Sequence, residues 1–479
     1  MRKRSKNLLA ALAFCLAVFL LACALSAVLN TKSETMMAFY AEPKESIDVL
    51  FVGSSHCMAA FSPAAIWQQE GFTSYNLYSL SQPMWTSYHY IKEALKTQSP
   101  KVVVLDAFGM SYGNTYITPE NLDSVSDDYS LLIKPSLNRL ELAMAMSRSQ
   151  VHARPFYRYL PLLRYHGRWK SLTREDFTWY FEDHYSTNKG YAPLFETEAF
   201  APPVPLADPP ESEVYPPAME YLHKTIELSR QEGFALVVAW APYIPEDAEW
   251  DVFRQVEDLC AAEGVPVLNY ITDVDCGFSY ETDLAEHAHV NLFGSEKVSA
   301  HIGAWLAENY ELEDRRGQEE YAYWEQAAAT DQWDLEKMML RLSPTPAEYF
   351  SRLQDDRLVA FVVSRGNLSA GQTEAMEEGF SAVGLDPGVL QPGGGEMLAV
   401  LDGGEPVEME TGRDLSYTYT EEGLEAQLQS GGHALLSLNG EEVQLDHEGV
   451  LVAVWDRAEG ELVQSVAFRP DEGFHTRTD

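Results

Sequence analysis

The chain has 479 residues, enough for roughly two to four domains and a sizeable hydrophobic core. Its 34 lysines and arginines face 73 aspartates and glutamates, a formal net charge of −39, which excludes nucleic acid as a partner because both would be strongly negative. The five cysteines form neither a disulfide scaffold nor a zinc-binding pattern. We expect no metal and no cofactor.

The N-terminus predicts a membrane segment within residues 1–35. Four basic residues among the first six precede an apolar run from Leu8 to Leu29, and a membrane span needs about 20 residues. Small residues at 24–27 leave a cleaved signal peptide open, and residues 20–23 form an imperfect lipidation-type sequence. All three alternatives place the bulk of the chain outside the cytoplasm, because the positive end stays inside.

The first strand of the folded part ends at Gly53-Ser54-Ser55. The apolar run 47–52 predicts a buried strand, and such a strand delivers the next residues to the edge of a sheet where α/β enzymes hold their chemistry. Ser55 is therefore a candidate nucleophile. Gly-Ser-Ser also forms ordinary turns and helix caps, so this stretch alone does not separate the two alternatives.

Strands and helices then alternate along the chain. Further strands are predicted at 74–77, 101–106, 234–240 and 266–270, with helices of a dozen or so residues between most of them. This alternation predicts an α/β fold with a doubly wound, mostly parallel sheet. The catalytic edge should be the C-terminal rim of that sheet.

A second set of chemistry-bearing residues lies at 283–295. His289 follows Asp283 by six residues and Glu286 by three, and it precedes a predicted helix from 296 to 309. A histidine with a nearby carboxylate supplies the general base and the orienting group that a serine nucleophile needs. The alternative is that His289 caps the helix or packs beside Asn291.

Taken together, these residues resemble the SGNH/GDSL hydrolase superfamily. Gly53-Ser54-Ser55 stands where that family has Gly-Asp-Ser, and residues 286–294 resemble its Asp-x-x-His block followed by Asn and Gly. The segment 39–56 is similar to membrane-anchored, surface-facing bacterial members. The resemblance covers about 40 to 310, with a large insertion, inside a predicted domain at 36–310. It implies a flavodoxin-like three-layer fold, with Ser55 as nucleophile, His289 as general base and position 286 as the acid.

The sequence departs from the family pattern in two ways. Position 286 is Glu instead of Asp, so either Glu286 or Asp283 orients the imidazole. The glycine of the second block and the asparagine of the third, which help to form the oxyanion hole in the family, are not evident. Candidate donors to an oxyanion are the backbone N–H of Ser55, that of Tyr78 or Ser79, and a side chain such as that of Gln82 or Asn114.

An insertion at 111–215 interrupts the α/β pattern with a helical segment. Its stretch 129–174 has nine basic residues against one acid and is interleaved with aromatic residues. We expect Arg164, Arg168 and Trp169 to bind an anionic glycan, since aromatic faces stack on sugars and arginines pair with anions. The alternative is a helical cap whose arginines pair with the acidic body of the protein.

Beyond residue 310 an acidic helical connector (311–345) leads to a predicted β-rich α+β domain (346–479). Residues 449–456, 460–468 and 356–384 resemble the interleukin-like EMT inducer module, which is lectin-like. The resemblance implies a carbohydrate-binding or protein-contact role for this domain. A structural appendage is the alternative.

The sequence thus predicts a single-pass, extracytoplasmic serine esterase or O-acyltransferase. Its substrate would be the acyl groups, O-acetyl above all, of a cell-surface or secreted polysaccharide. Expected partners are that acylated glycan, the membrane through the N-terminal helix, and a membrane acyl-donor protein as a candidate. The alternative is a catalytically inactive glycan-binding or surface-assembly protein on the same scaffold.

Overall fold

The computed structural model describes residues 2–30, 32, 34–111, 133–149, 161–182, 184–343, 345–365, 370–391, 394–431, 433–445 and 449–468. The chain divides into two compact units, Met1–Gln332 and Trp333–Asp479. The division falls inside the segment predicted as the connector. Asn114, named above as an oxyanion donor, lies outside the described residues.

A parallel sheet forms the centre of the first unit. In the described part of the chain it has five strands in the order β2-β1-β3-β4-β5, the flavodoxin-like doubly wound order. The predicted α/β fold class is thereby confirmed. The strands are β1 (Val49–Gly53), β2 (Ser74–Tyr78), β3 (Val102–Asp106), β4 (Ala235–Trp240) and β5 (Val267–Asn269).

Helices cover the sheet, and a short antiparallel hairpin lies beyond β5. The hairpin strands are β6 (Leu284–Glu286) and β7 (His289–Val290). The helices of this unit are α1 (Arg2–Leu29), α2 (Glu34–Ala41), α3 (Ser55–Ala60), α4 (Pro63–Glu70), α5 (Met84–Ala94), α6 (Leu137–Ser149), α7 (Pro161–Tyr165), α8 (Glu175–Thr178), α9 (Pro216–Glu232), α10 (Glu249–Glu263) and α11 (Leu292–Asn309). Short 3₁₀ helices occupy Phe108–Met110, His166–Lys170, Trp179–Phe181 and Glu319–Tyr321, and α12 (Tyr323–Arg341) contains the boundary between the units.

The sheet has a hydrophobic core on each face. Leu50 and Val52 of β1 pack in one cluster with residues of α5, α9 and α10, whereas Val49 and Phe51 pack in the other with residues of α3, α4 and α11. Side chains alternate between the two faces of a strand, and here both faces are buried. That is why the strands read as nearly continuous apolar runs in the sequence.

The second unit is antiparallel and β-rich. Its elements are α13 (Pro346–Ser351), β8 (Leu358–Arg365), α14 (Ala370–Ala382), the 3₁₀ helix Pro387–Leu390, β9 (Glu396–Asp402), β10 (Glu405–Gly412), β11 (Ser416–Glu421), β12 (Leu424–Gln429), β13 (Ala434–Leu438), β14 (Glu441–Leu445), β15 (Gly449–Asp456) and β16 (Glu461–Phe468). Within the described residues, one sheet has the order β10-β9-β8-β15-β16 and another the sequential order β11-β12-β13-β14. The two sheets share a core, with Phe361 of β8 packed in the same cluster as Leu428 and Leu436. The predicted β-rich terminal region is confirmed.

The N-terminal helix is the apolar one. Among the described residues, the single helix that is long and apolar enough to cross a membrane runs from Leu9 to Leu29, with a mean hydropathy of 2.8. By length and composition a signal sequence would pass the same test. All five cysteines lie in described positions, and none of them forms a disulfide.

Candidate active site

The turn from β1 into α3 positions Ser55 at the C-terminal edge of the sheet. Ser54 caps the helix, because its hydroxyl oxygen accepts a hydrogen bond from the His56 N–H at 3.2 Å. The Ser54 hydroxyl and backbone N–H both donate to Asp106 Oδ2, at 2.7 and 2.9 Å. A Cβ on Gly53 would lie 2.3 Å from the Asp106 Cβ, so only glycine fits there. Ser55 is therefore the first residue of α3, next to a fixed turn.

Asp106 is a buried residue that the sequence did not single out. It ends β3, next to β1 in the sheet, and burial raises its pKa even though hydrogen bonds from Ser54 act in the opposite direction. Its only signal in the sequence is that it is a carboxylate at the end of a buried strand. Its contacts hold the turn that precedes Ser55.

The β6–β7 hairpin pairs Glu286 with His289. The two residues face each other across the antiparallel ladder, with a two-residue turn between them. The His289 Nδ1 hydrogen-bonds Glu286 Oε1. Glu286 Oε2 also accepts from the Ala288 N–H and contacts His287 Nδ1, both at 2.9 Å. Burial tends to raise the pKa of Glu286, but the hydrogen bonds from Ala288 and His289 outweigh it, and the pKa is lowered.

The hairpin brings His289 onto Ser55. The Nε2 atom of His289 lies 2.7 Å from Ser55 Oγ, although the two residues are 234 positions apart in the chain. With Nδ1 bonded to a carboxylate, the neutral imidazole carries its proton there and Nε2 accepts from the hydroxyl. The His289 side chain is 23% exposed and that of Glu286 is 37% exposed, so the set is open to small molecules. Ser55, His289 and Glu286 have the connectivity of a Ser-His-acid triad.

Asp283 does not take part in this set. Its Oδ2 accepts from the Ser279 N–H at 2.7 Å and pairs with Lys297 Nζ at 2.6 Å, and its Oδ1 accepts from the Thr282 hydroxyl at 2.8 Å. Both carboxylate oxygens are thus used within the loop before the hairpin. Of the two acids named from the sequence, Glu286 is the one that the structure places on the imidazole. The prediction of Asp283 as a catalytic residue is corrected accordingly.

The alternative role for His289, as a helix cap, belongs to another residue. Asn291 is the N-cap of α11, and its side-chain oxygen accepts from the Gly294 N–H at 3.1 Å. The Asn291 amide donates to the carbonyl of Thr282 at 2.8 Å, which ties the helix start to the preceding loop. His289 is therefore left to contact Ser55.

The residues predicted for an oxyanion hole differ in whether their N–H groups already have acceptors in the fold. The Ser55 N–H is in the first turn of α3, where the helix itself provides no acceptor. Tyr78 ends β2 directly opposite Gly53, but the Ser79 N–H donates to the Gly53 carbonyl at 3.4 Å. Gln82 is buried, accepts from Ser79 Oγ at 2.8 Å and donates to the Ser87 hydroxyl at 3.0 Å. The Ser79 N–H and one N–H of the Gln82 amide thus have acceptors inside the fold, while the amide has a second N–H, and the oxyanion role of both residues stays a prediction.

Aromatic rings lie beside Ser55. The His56 ring stacks on Phe108 with centroids 3.6 Å apart and meets the ring of Tyr243 edge-on at 4.9 Å. Its centroid is 5.0 Å from that of His289. Burial, followed by the charges of His289 and His287, holds the pKa of His56 well below its usual value, so this ring is neutral. His56 could have been noticed from the sequence, since it directly follows Ser55.

Arg168, one of the residues predicted to bind a glycan, contacts the end of α1. The Arg168 guanidinium donates to the carbonyls of Leu29, at 3.0 Å, and Asn30, and it pairs with Asp176 at 2.8 Å. Arg168 is thus engaged at the end of α1, and its prediction as a substrate ligand is corrected for that reason. Trp169 is 65% exposed, and the side chain of Arg164 lies outside the described part of the structure.

No group of three or more potential metal ligands occurs among the residues that the structure describes. No family model and no curated protein sequence matches this chain. Among solved structures, it is similar to that of a Bacteroides fragilis protein provisionally assigned as an acylhydrolase, with 9% identity and a TM-score of 0.29 over 58% of this chain and 97% of the other. Such a low TM-score transfers nothing from that protein to this one.

Proposed function

We propose that the chain is an SGNH-type serine hydrolase that acts on acyl esters. The proposal rests on one observation, the 2.7 Å contact between Ser55 Oγ and His289 Nε2, with Glu286 on the opposite ring nitrogen. Serine, histidine and a carboxylate in this connectivity serve acyl transfer on several unrelated folds. Sequence motifs at both ends of the sheet region support the same class.

The geometry defines the steps of the reaction. Ser55 Oγ attacks the ester carbonyl while His289 Nε2 accepts the hydroxyl proton, and Glu286 stabilises the imidazolium that forms. The Ser55 N–H, at the positive end of α3, faces the developing oxyanion. His289 then protonates the departing alcohol, which leaves an acyl-enzyme on Ser55. Water or a second hydroxyl, deprotonated by His289, attacks this ester and frees the serine.

The acyl acceptor decides between two activities. Water gives an esterase that releases a carboxylic acid, and a bound sugar hydroxyl that excludes water gives an O-acyltransferase. We propose O-acetyl groups on a cell-surface or secreted polysaccharide as the substrate. A catalytic set that is partly exposed at a sheet edge suits a group carried on a polymer. A membrane acyl-donor protein would be needed only for the transferase.

We propose further that α1 is an uncleaved anchor and that the first unit lies outside the cytoplasm. Ser26, Leu29 and Asn30, at the end of this helix, are buried in the fold. Ser26 Oγ accepts from the Leu162 N–H at 3.2 Å, and the Leu29 carbonyl accepts from Arg168. Cleavage at the small residues 24–27 would remove the helix from a unit that packs against it. These contacts favour an anchor over a signal peptide.

For the second unit we propose a carbohydrate-binding or protein-contact role, as its resemblance to a lectin-like module suggests. The sequential sheet β11–β14 and the exposed strand β10 supply open surface for such a role.

A second candidate function is glycan binding without catalysis. The observation that favours it is that the Ser79 N–H donates to the Gly53 carbonyl and the Gln82 amide donates to the Ser87 hydroxyl, so both groups have acceptors inside the fold. Fewer donors for an oxyanion would stabilise it more weakly.

A fluorophosphonate probe separates the two candidates. The full chain should be labelled on Ser55, labelling should be lost in Ser55→Ala, and it should be strongly slowed in His289→Ala. Asp283→Asn is the matched control and should be labelled at close to the wild-type rate. Absence of labelling in folded wild-type protein, or labelling that persists in Ser55→Ala, would overturn the enzyme proposal in favour of the binder.

A further inference from the structure

The exposed part of α1 is too short to cross a bilayer by itself. Residues 9–21 are all exposed, whereas the turns from Ala22 onward are partly covered by the fold, with Ala24 and Leu25 exposed and Ser26 and Leu29 buried. Thirteen residues at 1.5 Å each give about 20 Å, against about 30 Å for the hydrocarbon core of a membrane. The last two turns of α1, Ala22–Leu29, must supply the remaining ~10 Å of the span. Whatever packs on those turns then lies at membrane depth.

The chain segment that packs there is Pro161–Glu182, here called the interfacial segment. It contains α7, the 3₁₀ helices His166–Lys170 and Trp179–Phe181, and α8, and it contacts the end of α1. Arg168 donates to the carbonyls of Leu29 and Asn30, and Lys32 donates to that of Ala27 at 2.8 Å. These donors satisfy C-terminal carbonyls that the helix leaves without partners. Where water is scarce, an unsatisfied carbonyl would be costly.

The exposed side chains of the interfacial segment are those typical of a membrane interface. Its exposed apolar and aromatic residues are Leu163, Trp169, Phe177, Tyr180 and Phe181, with exposed fractions of 46, 65, 57, 42 and 89%. Cations accompany them: Lys170 Nζ lies 5.6 Å from the Trp169 ring centroid and Lys32 Nζ lies 5.1 Å from that of Tyr180. Aromatic rings and long cationic side chains collect where acyl chains meet headgroups.

We infer that the interfacial segment is inserted in the outer leaflet of the bilayer, with its aromatic side chains at the boundary between acyl chains and lipid phosphates. The occupant of this surface is therefore phospholipid. Two independent observations carry the inference. The exposed part of α1, residues 9–21, is ~10 Å shorter than the hydrocarbon core. The apolar, cationic surface of the interfacial segment lies beside the turns of α1 that complete the span. It rests on the proposed anchoring by α1, and it deepens it by adding a second membrane contact.

This second contact restrains the first unit. A single helix would allow the unit to tilt freely relative to the membrane. The helix together with the interfacial segment beside it would fix the orientation of the unit. The basic stretch that the sequence suggested for glycan recognition thus acquires a lipid ligand. Its four basic residues against three acidic ones give it a slightly positive charge in a chain of net charge −39, which suits lipid phosphates.

The test measures the depth of Trp169 in lipid. Full-length protein is reconstituted into phosphatidylcholine–phosphatidylglycerol vesicles with bromine on the acyl chains near the headgroup, and tryptophan emission is compared with that in unbrominated vesicles. Trp169→Phe should remove a component that bromolipid quenches strongly. Trp305→Phe, a change at a partly exposed tryptophan on α11, should leave the quenched component intact.

The outcomes are distinct. If the component that Trp169→Phe removes is quenched by aqueous iodide and not by bromolipid, the segment lies outside the bilayer and the inference is overturned, even with the protein still anchored. If carbonate wash releases the wild-type protein, the anchor proposal itself fails. If Trp169 is shielded from both quenchers and chemical cross-linking yields dimers through this segment, a second copy covers it and the lipid assignment is overturned.

Discussion

Two clusters of ionisable and aromatic residues in the first unit look alike in composition and differ in access. Ser55, His289 and Glu286 form one, beside the ring of His56. Lys189 and Glu42 form the other, joined at 2.8 Å between Nζ and Oε1. The Lys189 and Glu42 side chains are 0 and 1% exposed, whereas those of His289 and Glu286 are 23 and 37% exposed. Both clusters contain ionisable groups with shifted pKa values. Solvent exposure is what distinguishes the candidate active site from a buried ion pair that stabilises the fold.

The buried Lys189–Glu42 cluster packs against the edge of the sheet. Lys189 Nζ lies 3.9 Å from the ring centroid of Tyr185, which also accepts its hydrogen bond, and 5.2 Å from that of Trp324. The Lys189 carbonyl accepts from the N–H of Asn76 in the edge strand β2. Burial lowers the pKa of Lys189, although Glu42 acts in the opposite direction. The following predictions separate the two clusters by what each loses on mutation.

Ser55→Ala should have the largest effect. Removing the nucleophile should lower kcat/KM for an acetyl ester by at least about 10⁴-fold with little change in stability, because the hydroxyl makes no contact needed by the core. Initial-rate measurement with p-nitrophenyl acetate, together with thermal unfolding, checks both halves. Activity retained within tenfold would mean that another group attacks the ester.

Glu286→Gln should come next, with a loss of about 10²- to 10⁴-fold in kcat/KM, because the amide favours the wrong tautomer and leaves the imidazolium unpaired. Asp283→Asn is the matched control: it should keep most of the activity and lose stability through its contact with Lys297. The two losses are read from rates and from urea unfolding. If Asp283→Asn were the more damaging to kcat, Glu286 would not be the orienting acid.

Lys189→Met should destabilise the protein by about 3–5 kcal/mol, because it leaves the Glu42 carboxylate buried without its partner. The double variant Lys189→Met/Glu42→Gln should recover part of this free energy, since no buried charge remains. Urea unfolding of the full chain, followed by tryptophan fluorescence, measures both. The fraction that remains folded should keep its Ser55 labelling, which would set this cluster apart from the catalytic one.

Glu296→Gln should have the smallest effect on ester turnover, and it should stabilise the folded protein. Burial, with the nearby Asp331 carboxylate, raises the pKa of Glu296 from 4.5 to about 8. Between these values the folded chain holds a proton that the unfolded chain releases, so wild-type stability falls as pH rises through this range and levels off above about 8. At pH 8.5 the variant should be more stable than wild type, and at pH 4 the two proteins should be equally stable. An equal difference at both pH values would exclude titration as the cause.

The parts of the fold that follow from local patterns could be predicted. The apolar runs ending at Gly53 and Asp106 specify buried strands, and parallel strands must bring their C-terminal ends to one edge. His289 and its upstream carboxylates follow the last of these strands, so the approach of His289 to Ser55 was expected. The choice between Glu286 and Asp283 was not, because it depends on the register of a two-residue turn.

Contacts between distant segments could not be predicted. Arg168 lies in a basic, aromatic stretch whose composition suits sugars and lipids equally, and only its contact with Leu29, 139 residues earlier, separates the two. The bond from Ser54 to Asp106 spans 52 residues in the same way. The acceptor of the Gln82 amide, the Ser87 hydroxyl, could not be read from the sequence either. Composition indicates which type of group a side chain can bind, and the fold determines which particular group it contacts.

The β6–β7 hairpin determines how the proposed activity could be lost or transferred to another protein. The acid and the base, Glu286 and His289, lie within four consecutive positions. A designer could therefore transfer this four-residue segment to a position opposite a serine at the edge of another sheet. The same compactness makes the unit fragile to changes in length. Inserting or deleting one residue in the turn would shift the pairing register and turn one partner to the opposite face of the ladder. Loss of activity in related chains should therefore show first as a length change between positions 286 and 289.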